Sequence, residues 1–110
     1  MIEWQVALTG QAEADLRDIY EYIAFTLLEP KTATRLNNRF RTSISELRSL
    51  PKSHAAYQKE PWKSKGMRRM NVGNHAVFFV PFENKHAVIV LRVVYGGRDI
   101  DRILEDTPEA

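Results

Sequence analysis

The apolar residues of this 110-residue chain change their spacing twice, and that restricts the fold more than any other feature. Ile2, Trp4, Val6 and Leu8 alternate with Glu3, Gln5 and Ala7, the period of a strand buried on one face. From Ala12 the spacing lengthens to three and four, through Leu16, Ile19, Tyr20, Ile23 and Leu27, which makes one stripe of a helix. Thr9 stands at its N-cap, and Glu13, Asp15 and Asp18 occupy early turns, where the helix dipole favours acids. Pro30 suits the first turn of a second helix, whose stripe reads Ala33, Leu36, Phe40, Ile44 and Leu47 before Leu50-Pro51 closes it. So short a link makes the two helices an antiparallel hairpin.

Beyond Pro51 the helical spacing stops. Residues 52–66 are polar, contain Pro61 and show no period, so a loop is expected there, near the length at which loops carry function. Met67–Val72, His75–Phe82 and His86–Tyr95 then read as strands, separated by the turn residues Gly73-Asn74 and Glu83-Asn84-Lys85. Ala87–Leu91 is apolar on both faces, which marks a strand inside the sheet. Asp99 can cap a short last helix with Ile100, Ile103 and Leu104 on its apolar side. The expected order is β-α-α-β-β-β-α. This is an α+β fold with an antiparallel sheet packed against an N-terminal helical hairpin, residues 1–110 forming one domain. One sheet face takes the hairpin; the other is covered from elsewhere or left open to a partner.

Composition narrows the chemistry. At 44% apolar and 27% charged residues the chain is an ordinary globular sequence, not a disordered one. It has no cysteine, which excludes disulfides, thiol catalysis and iron–sulfur or thiolate zinc sites. The three histidines have no companions at metal-ligand spacing, so neither a metal nor a cofactor is expected. No apolar run reaches bilayer length and the N-terminus lacks an export signal, so the expectation is a cytoplasmic protein without a membrane partner. The net charge of +2 conceals a partition: residues 1–29 carry −5, residues 30–98 carry +11 and residues 99–110 carry −4. Either the acidic ends fold back on the basic middle, or the middle presents a surface to nucleic acid or an acidic protein.

Three segments, LTGQAEADLRDIYEYI, GMRRMNVGNHAVFFV and VIVLRVVYGGRDIDRIL, together resemble the RelE/ParE superfamily, the toxins of bacterial type II toxin–antitoxin systems. The resemblance covers nearly the whole chain in the right order. It implies growth arrest, of the kind used in plasmid stabilisation, and inactivation by an acidic, partly disordered antitoxin. Such a segment would wrap the basic middle, with a helix beside the hairpin or a strand on the sheet edge. It also implies one of two activities. RelE-like members cleave messenger RNA on the ribosome, whereas ParE-like members poison DNA gyrase without chemistry of their own. Metal-free RNA cleavage needs a base, an acid and cations around the phosphate. For that branch the resemblance points to Arg68, Arg69, His75, Tyr95 and Arg98, although His75, or Ala76 if the alignment shifts by one, stands where the nuclease pattern has a phosphate-binding arginine. The long hairpin and the run from Met67 to Phe79 followed by RVVYGGRD fit the ParE-like branch in more places. A degenerate, non-toxic binding module is the third reading.

Contacts to target or antitoxin are expected from Lys59, Trp62, Lys63 and Lys65, a basic and aromatic loop, and from Arg69, Arg92 and Arg98. Arg92 interrupts an apolar strand, and the favoured reading puts it on an open sheet face; the other is a buried pair. Arg68 and Arg69 must point to opposite sides of their strand. If the hairpin covers the Met70 side, Arg69 is the freer, and Arg68 needs a carboxylate, with Glu13 or Asp15 as candidates.

Overall fold

The computed structural model describes residues 3–108. A strand β1 (Gln5–Leu8) leads into helix α1 (Gly10–Glu21), and helix α2 (Pro30–Glu46) completes the hairpin. A two-residue strand β2 (Ala55–Ala56) precedes β3 (Arg68–Val72), β4 (His75–Phe82), β5 (Ala87–Tyr95) and helix α3 (Ile100–Glu105). The sheet order is β1-β5-β4-β3-β2. Strands β2 to β5 are antiparallel neighbours, while β1 lies parallel to β5 with Leu8 opposite Val90. The antiparallel meander is therefore extended by a parallel edge strand, which the helical hairpin makes possible as the crossover between β1 and the meander.

Local chemistry explains the element ends. The Thr9 hydroxyl accepts from the Ala12 N–H at 3.1 Å and starts α1. Pro30 opens α2 at a position whose N–H has no helical acceptor to lose. Gly73 takes φ +58° at the first central position of the two-residue β3–β4 hairpin, a conformation that primed turns require and side chains resist. Asp99 accepts from the Arg102 N–H at 3.3 Å and caps α3.

Four expectations need correction. The proposed first strand begins only at Gln5, because the Trp4 N–H donates to the Arg48 carbonyl at 2.8 Å; Ile2 lies outside the described residues. The first helix turns π-helical over Tyr22–Thr26, where Leu27 N–H reaches back to the Tyr22 carbonyl, and the wider turn swings Leu27 into solvent at 50% exposure. Residues 52–66 are not wholly a loop, since Ala55 and Ala56 pair with Arg69 and Arg68. His86 sits in the left-handed region (φ 49°) as the turn's last residue, so β5 begins at Ala87.

The sheet has a core on each face. On one side Phe40, Ile44 and Leu47 of α2 and Ala12 of α1 bury Met70, Val72, Val77, Phe79, Val88, Val90 and Val93. On the other, Trp62, Met67 and Leu104 cover Ala76, Phe78, Val80, Leu91 and Val94. The second face is thus closed by the segment before β3 and by α3.

Strand β5 outruns β1, and α1 completes its edge. Thr9 N–H donates to the Val90 carbonyl at 3.0 Å and Thr9 Oγ1 to the Leu91 carbonyl at 3.0 Å. Past the bulge that leaves Leu91 without a partner on β4, the Val93 N–H donates to Asp15 Oδ2 at 2.9 Å. The same carboxylate binds Arg92 through two bonds of 2.7 and 2.9 Å, and Arg92 also donates to Thr107 Oγ1 at 3.1 Å. Arg92 and Asp15 retain only 19% and 15% side-chain exposure, and the pair holds the guanidinium above its ordinary range. Arg92 therefore does not lie on an open face: the bulge turns it toward α1, where it answers a carboxylate. Asp15→Ala should lower the unfolding free energy by about 3 kcal/mol, as expected when one partner of a largely buried pair is removed. Asp15→Asn, which keeps an acceptor for Val93, should cost about 1.5 kcal/mol. Urea unfolding followed by circular dichroism checks both values, and equal losses would show that the Val93 bond contributes nothing.

Candidate functional site

The pleat decides which basic residues can act together. Arg68 stands opposite Phe79 of the hairpin-side core, and Arg69 opposite Phe78 of the other core. Arg68 donates to the His54 carbonyl at 2.6 Å, so its partner is a backbone oxygen and not Glu13 or Asp15. Arg69 donates to Asn71 Oδ1 at 3.0 Å and lies 5.7 Å from the Phe78 ring centre. His75 and Tyr95 are register partners with ring centres 5.5 Å apart, and His75 also meets the edge of Phe40 at 5.3 Å. This contact puts His75 and Tyr95 on the hairpin side. Burial pushes the His75 imidazole below its ordinary pKa, and its Nδ1 has no hydrogen-bond partner among the described residues. The sheet thus separates His75, Tyr95 and Arg68 from Arg69.

On the second face a cleft of about 520 Å³ gathers Tyr57, Lys59, Arg69, Arg98, Asp99 and Asp101. Tyr57 donates to Asp101 Oδ1 at 2.6 Å, and Lys59 forms an ion pair with the same carboxylate. These two bonds hold the Asp101 carboxyl below its usual range and the Lys59 ammonium above it. Trp62 is buried, 3% exposed, and its indole donates to the Leu104 carbonyl at 3.1 Å. It is an anchor between the loop and α3, not a surface contact. Lys63 and Lys65 stay exposed on that loop, beside Gly66.

A larger concavity lies elsewhere. A groove of about 1020 Å³ runs between β1 and the two hairpin helices, with apolar lining from Val6, Leu8, Leu16, Tyr20, Ile44 and the exposed Phe25. Arg17, Arg41 and Arg48 stand on its rim, with Glu13 and Glu21. Arg41 and Arg48 fall outside the apolar stripe from Ala33 to Leu47, and a groove that α1, α2 and β1 build jointly has no signature in any one segment. Tyr57 and Asp101 were missed for a related reason, being 44 residues apart with no shared period.

The Tyr57–Asp101 bond gives a measurable signature. Burial, then the hydrogen bond and the charge of Asp101, push the phenol from 10.0 to about 12. The raised value means that its contribution to stability is complete below pH 10 and disappears as pH rises through about 12. An ultraviolet titration should find one tyrosine ionising near 12, and Asp101→Asn should bring that midpoint down while leaving the part due to burial.

Comparison with known proteins agrees with this architecture. A chain of the Pseudomonas aeruginosa chromosomal ParDE toxin–antitoxin system superposes with a TM-score of 0.68 at 21% identity, covering 84% of this chain and 96% of that one. The Mycobacterium tuberculosis RelBE2 toxin–antitoxin complex gives 0.60 at 17% identity, over 86% and 93% of the two chains. A mutant of the Escherichia coli toxin RelE in the free state gives 0.64 at 9% identity, over 96% and 94%. No curated protein sequence matches the chain. At these identities the superpositions establish the fold, and the sequence itself supplies the rest. Residues 6–100 match the model of the ParE toxin of the type II toxin–antitoxin system parDE, so the chain belongs to the ParE toxin family, within the RelE/ParE superfamily.

Proposed function

We propose that this type II toxin arrests growth by binding DNA gyrase, without chemistry of its own, and that an acidic antitoxin silences it. The observation that carries the reading is the division of the candidate catalytic residues. A 2′-hydroxyl attack needs its base, its acid and its phosphate cations around one phosphorus atom. Here His75 and Tyr95 stand on the hairpin side of the sheet and Arg69 on the other. Arg68 is engaged by a carbonyl, and the second face is filled by Phe78, Leu91, Val94 and Leu104 under α3. RNA laid on either face meets only part of the set. A binding mode that uses surface complementarity alone is compatible with this arrangement.

For the antitoxin, the groove between β1, α1 and α2 has the form that suits an amphipathic helix: an apolar floor with arginines at the rim. Arg17, Arg41 and Arg48 would steer an acidic segment, and the floor would supply the burial that offsets its ordering. That an antitoxin partner exists is supported by the solved relatives, which include toxin–antitoxin complexes. No helix among the described residues is long and apolar enough to cross a membrane.

Induction of the toxin, with DNA, RNA and protein synthesis followed separately, tests the reading. His75→Ala/Tyr95→Ala should remain as toxic as the parent, with DNA synthesis failing first and DNA damage accumulating. Loss of toxicity in that variant, with translation stopping and messenger fragments appearing, would establish the ribosomal alternative instead. Normal growth on induction would mark a non-toxic binding module. Arg41→Glu/Arg48→Glu should leave toxicity in place and weaken neutralisation by the antitoxin about tenfold, mostly through a slower association.

A further inference from the structure

We propose that the outward face of α2, through Lys31, Arg35 and Arg39, docks on the phosphate backbone of duplex DNA. The inference goes beyond the gyrase reading and is tested without gyrase. These three residues repeat every four positions and so form one stripe, about 12 Å long at 1.5 Å per residue. All three are exposed, and none makes an ion pair among the described residues. The helix carries no acid until Glu46, two turns beyond Arg39, so the stripe has no internal neutralisation.

Its placement runs against the helix's own preference. Cations are favoured at a helix C-terminus and disfavoured at the N-terminus. Yet Lys31 lies in the first turn of α2, no acid accompanies it there, and the last turn has no base. Glu29 at the N-cap is the one acid at this end, and against the four cations from Lys31 to Arg41 it leaves an excess of positive charge that suits an external anion. One end of the stripe is also fixed in direction: the Arg39 guanidinium lies against Gly73, whose absent side chain would stand 3.3 Å from it.

The rest of the face favours nucleic acid over protein. Protein interfaces are anchored by large apolar or aromatic groups. The exposed ones here are Tyr22, Phe25, Leu27, Leu28, Leu50 and Tyr95, and none is on α2. Beside the cations stand Thr32, whose hydroxyl accepts from Arg35 at 3.3 Å, Asn38 and Thr42, short polar groups of the kind that bind phosphate oxygens. Single strands want an aromatic platform, which α2 lacks, and the A-form major groove is too narrow to admit a helix. An exposed helix face fits the wide groove and flanking phosphates of B-DNA. The stripe faces away from the β1–α1–α2 groove, whose lining from α2 is a different set that includes Arg41, with Arg48 just past the helix end.

The test is binding of the intact toxin to a fluorescent duplex of about 20 base pairs as salt is raised from about 50 to 200 mM. Lys31→Ala/Arg35→Ala/Arg39→Ala should flatten the log–log salt slope by about 2.7, so that the parent loses about 40-fold more affinity than the variant over that range. Circular dichroism should show the variant fully helical, since the exposed alanines favour a helix. Arg35→Lys/Arg39→Lys should keep the parent slope, and Arg41→Ala/Arg48→Ala should alter it by less than one third as much. The proposal is overturned if the parent does not bind at about 50 mM salt, or if the triple variant keeps the parent slope. It is equally overturned if single-stranded DNA, an RNA duplex or polyglutamate of equal charge binds as tightly.

Discussion

The carboxylate of Asp15 is what fixes the helical hairpin to the sheet. Strand β1 pairs with β5 only as far as Val90, which would leave the remainder of β5 as an open edge. An uncovered edge in a sheet with two apolar faces invites pairing with other chains. Helix α1 removes the problem with side chains: Thr9 serves Leu91, and Asp15 serves Val93 while neutralising Arg92. The bulge at Leu91 is part of the same device, because it changes the direction of Arg92 and frees the Val93 N–H. Thr107 closes the other side of Arg92 and brings the segment after α3 to the same point. Three parts of the chain that are far apart in sequence meet on one guanidinium, and the position of the groove follows from it.

Where a residue's environment is set by its own segment, the sequence revealed it. The caps Thr9 and Asp99, Pro30 at the start of α2, the stripe from Ala33 to Leu47 and the span of β4 all obey local rules and stand where those rules put them. Ala87–Leu91, apolar on both faces, lies between β1 and β4. What could not be read depends on segments meeting. Arg92 in an apolar strand favours an open face over a buried pair, and only the arrival of α1 reverses that order. Arg68 found a carbonyl, which has no side-chain signature. Trp62 in a polar, aperiodic stretch gave no sign that it would be capped by Leu104 from 42 residues away. Likewise, β2 is two alanines whose only reason to be a strand is the edge offered by β3.

The two-sided core has a direct consequence for function. A sheet with one free face can gather cations from several strands on it, since alternate residues of every strand project there. Here α3 and the Trp62 loop occupy that face, and its side chains are Phe78, Val80, Leu91 and Val94. The polar groups that survive are displaced to the margin, where Lys59 and Tyr57 share Asp101 and Arg69 lies over Phe78. Chemistry at such a margin has fewer fixed groups to work with, while recognition by shape and charge loses nothing. The closed face is therefore an argument for the proposed binding role over catalysis.

The same logic explains how the charge is distributed. The acidic ends do return to the basic middle, but at single points: Asp15 reaches Arg92 and Asp101 reaches Lys59, while Glu83 pairs with Lys52 inside the middle itself. Each of these pairs ties an element down. Neutralising the whole +11 segment would need acids along α2, and that helix holds none before Glu46. Its cations are divided by the helical period into Arg41 and the following Arg48 toward the groove and Lys31, Arg35 and Arg39 away from it. A hairpin clamped by one buried pair keeps both flanks of α2 in fixed positions. Two anionic partners could then address one helix from different sides without competing for the same residues.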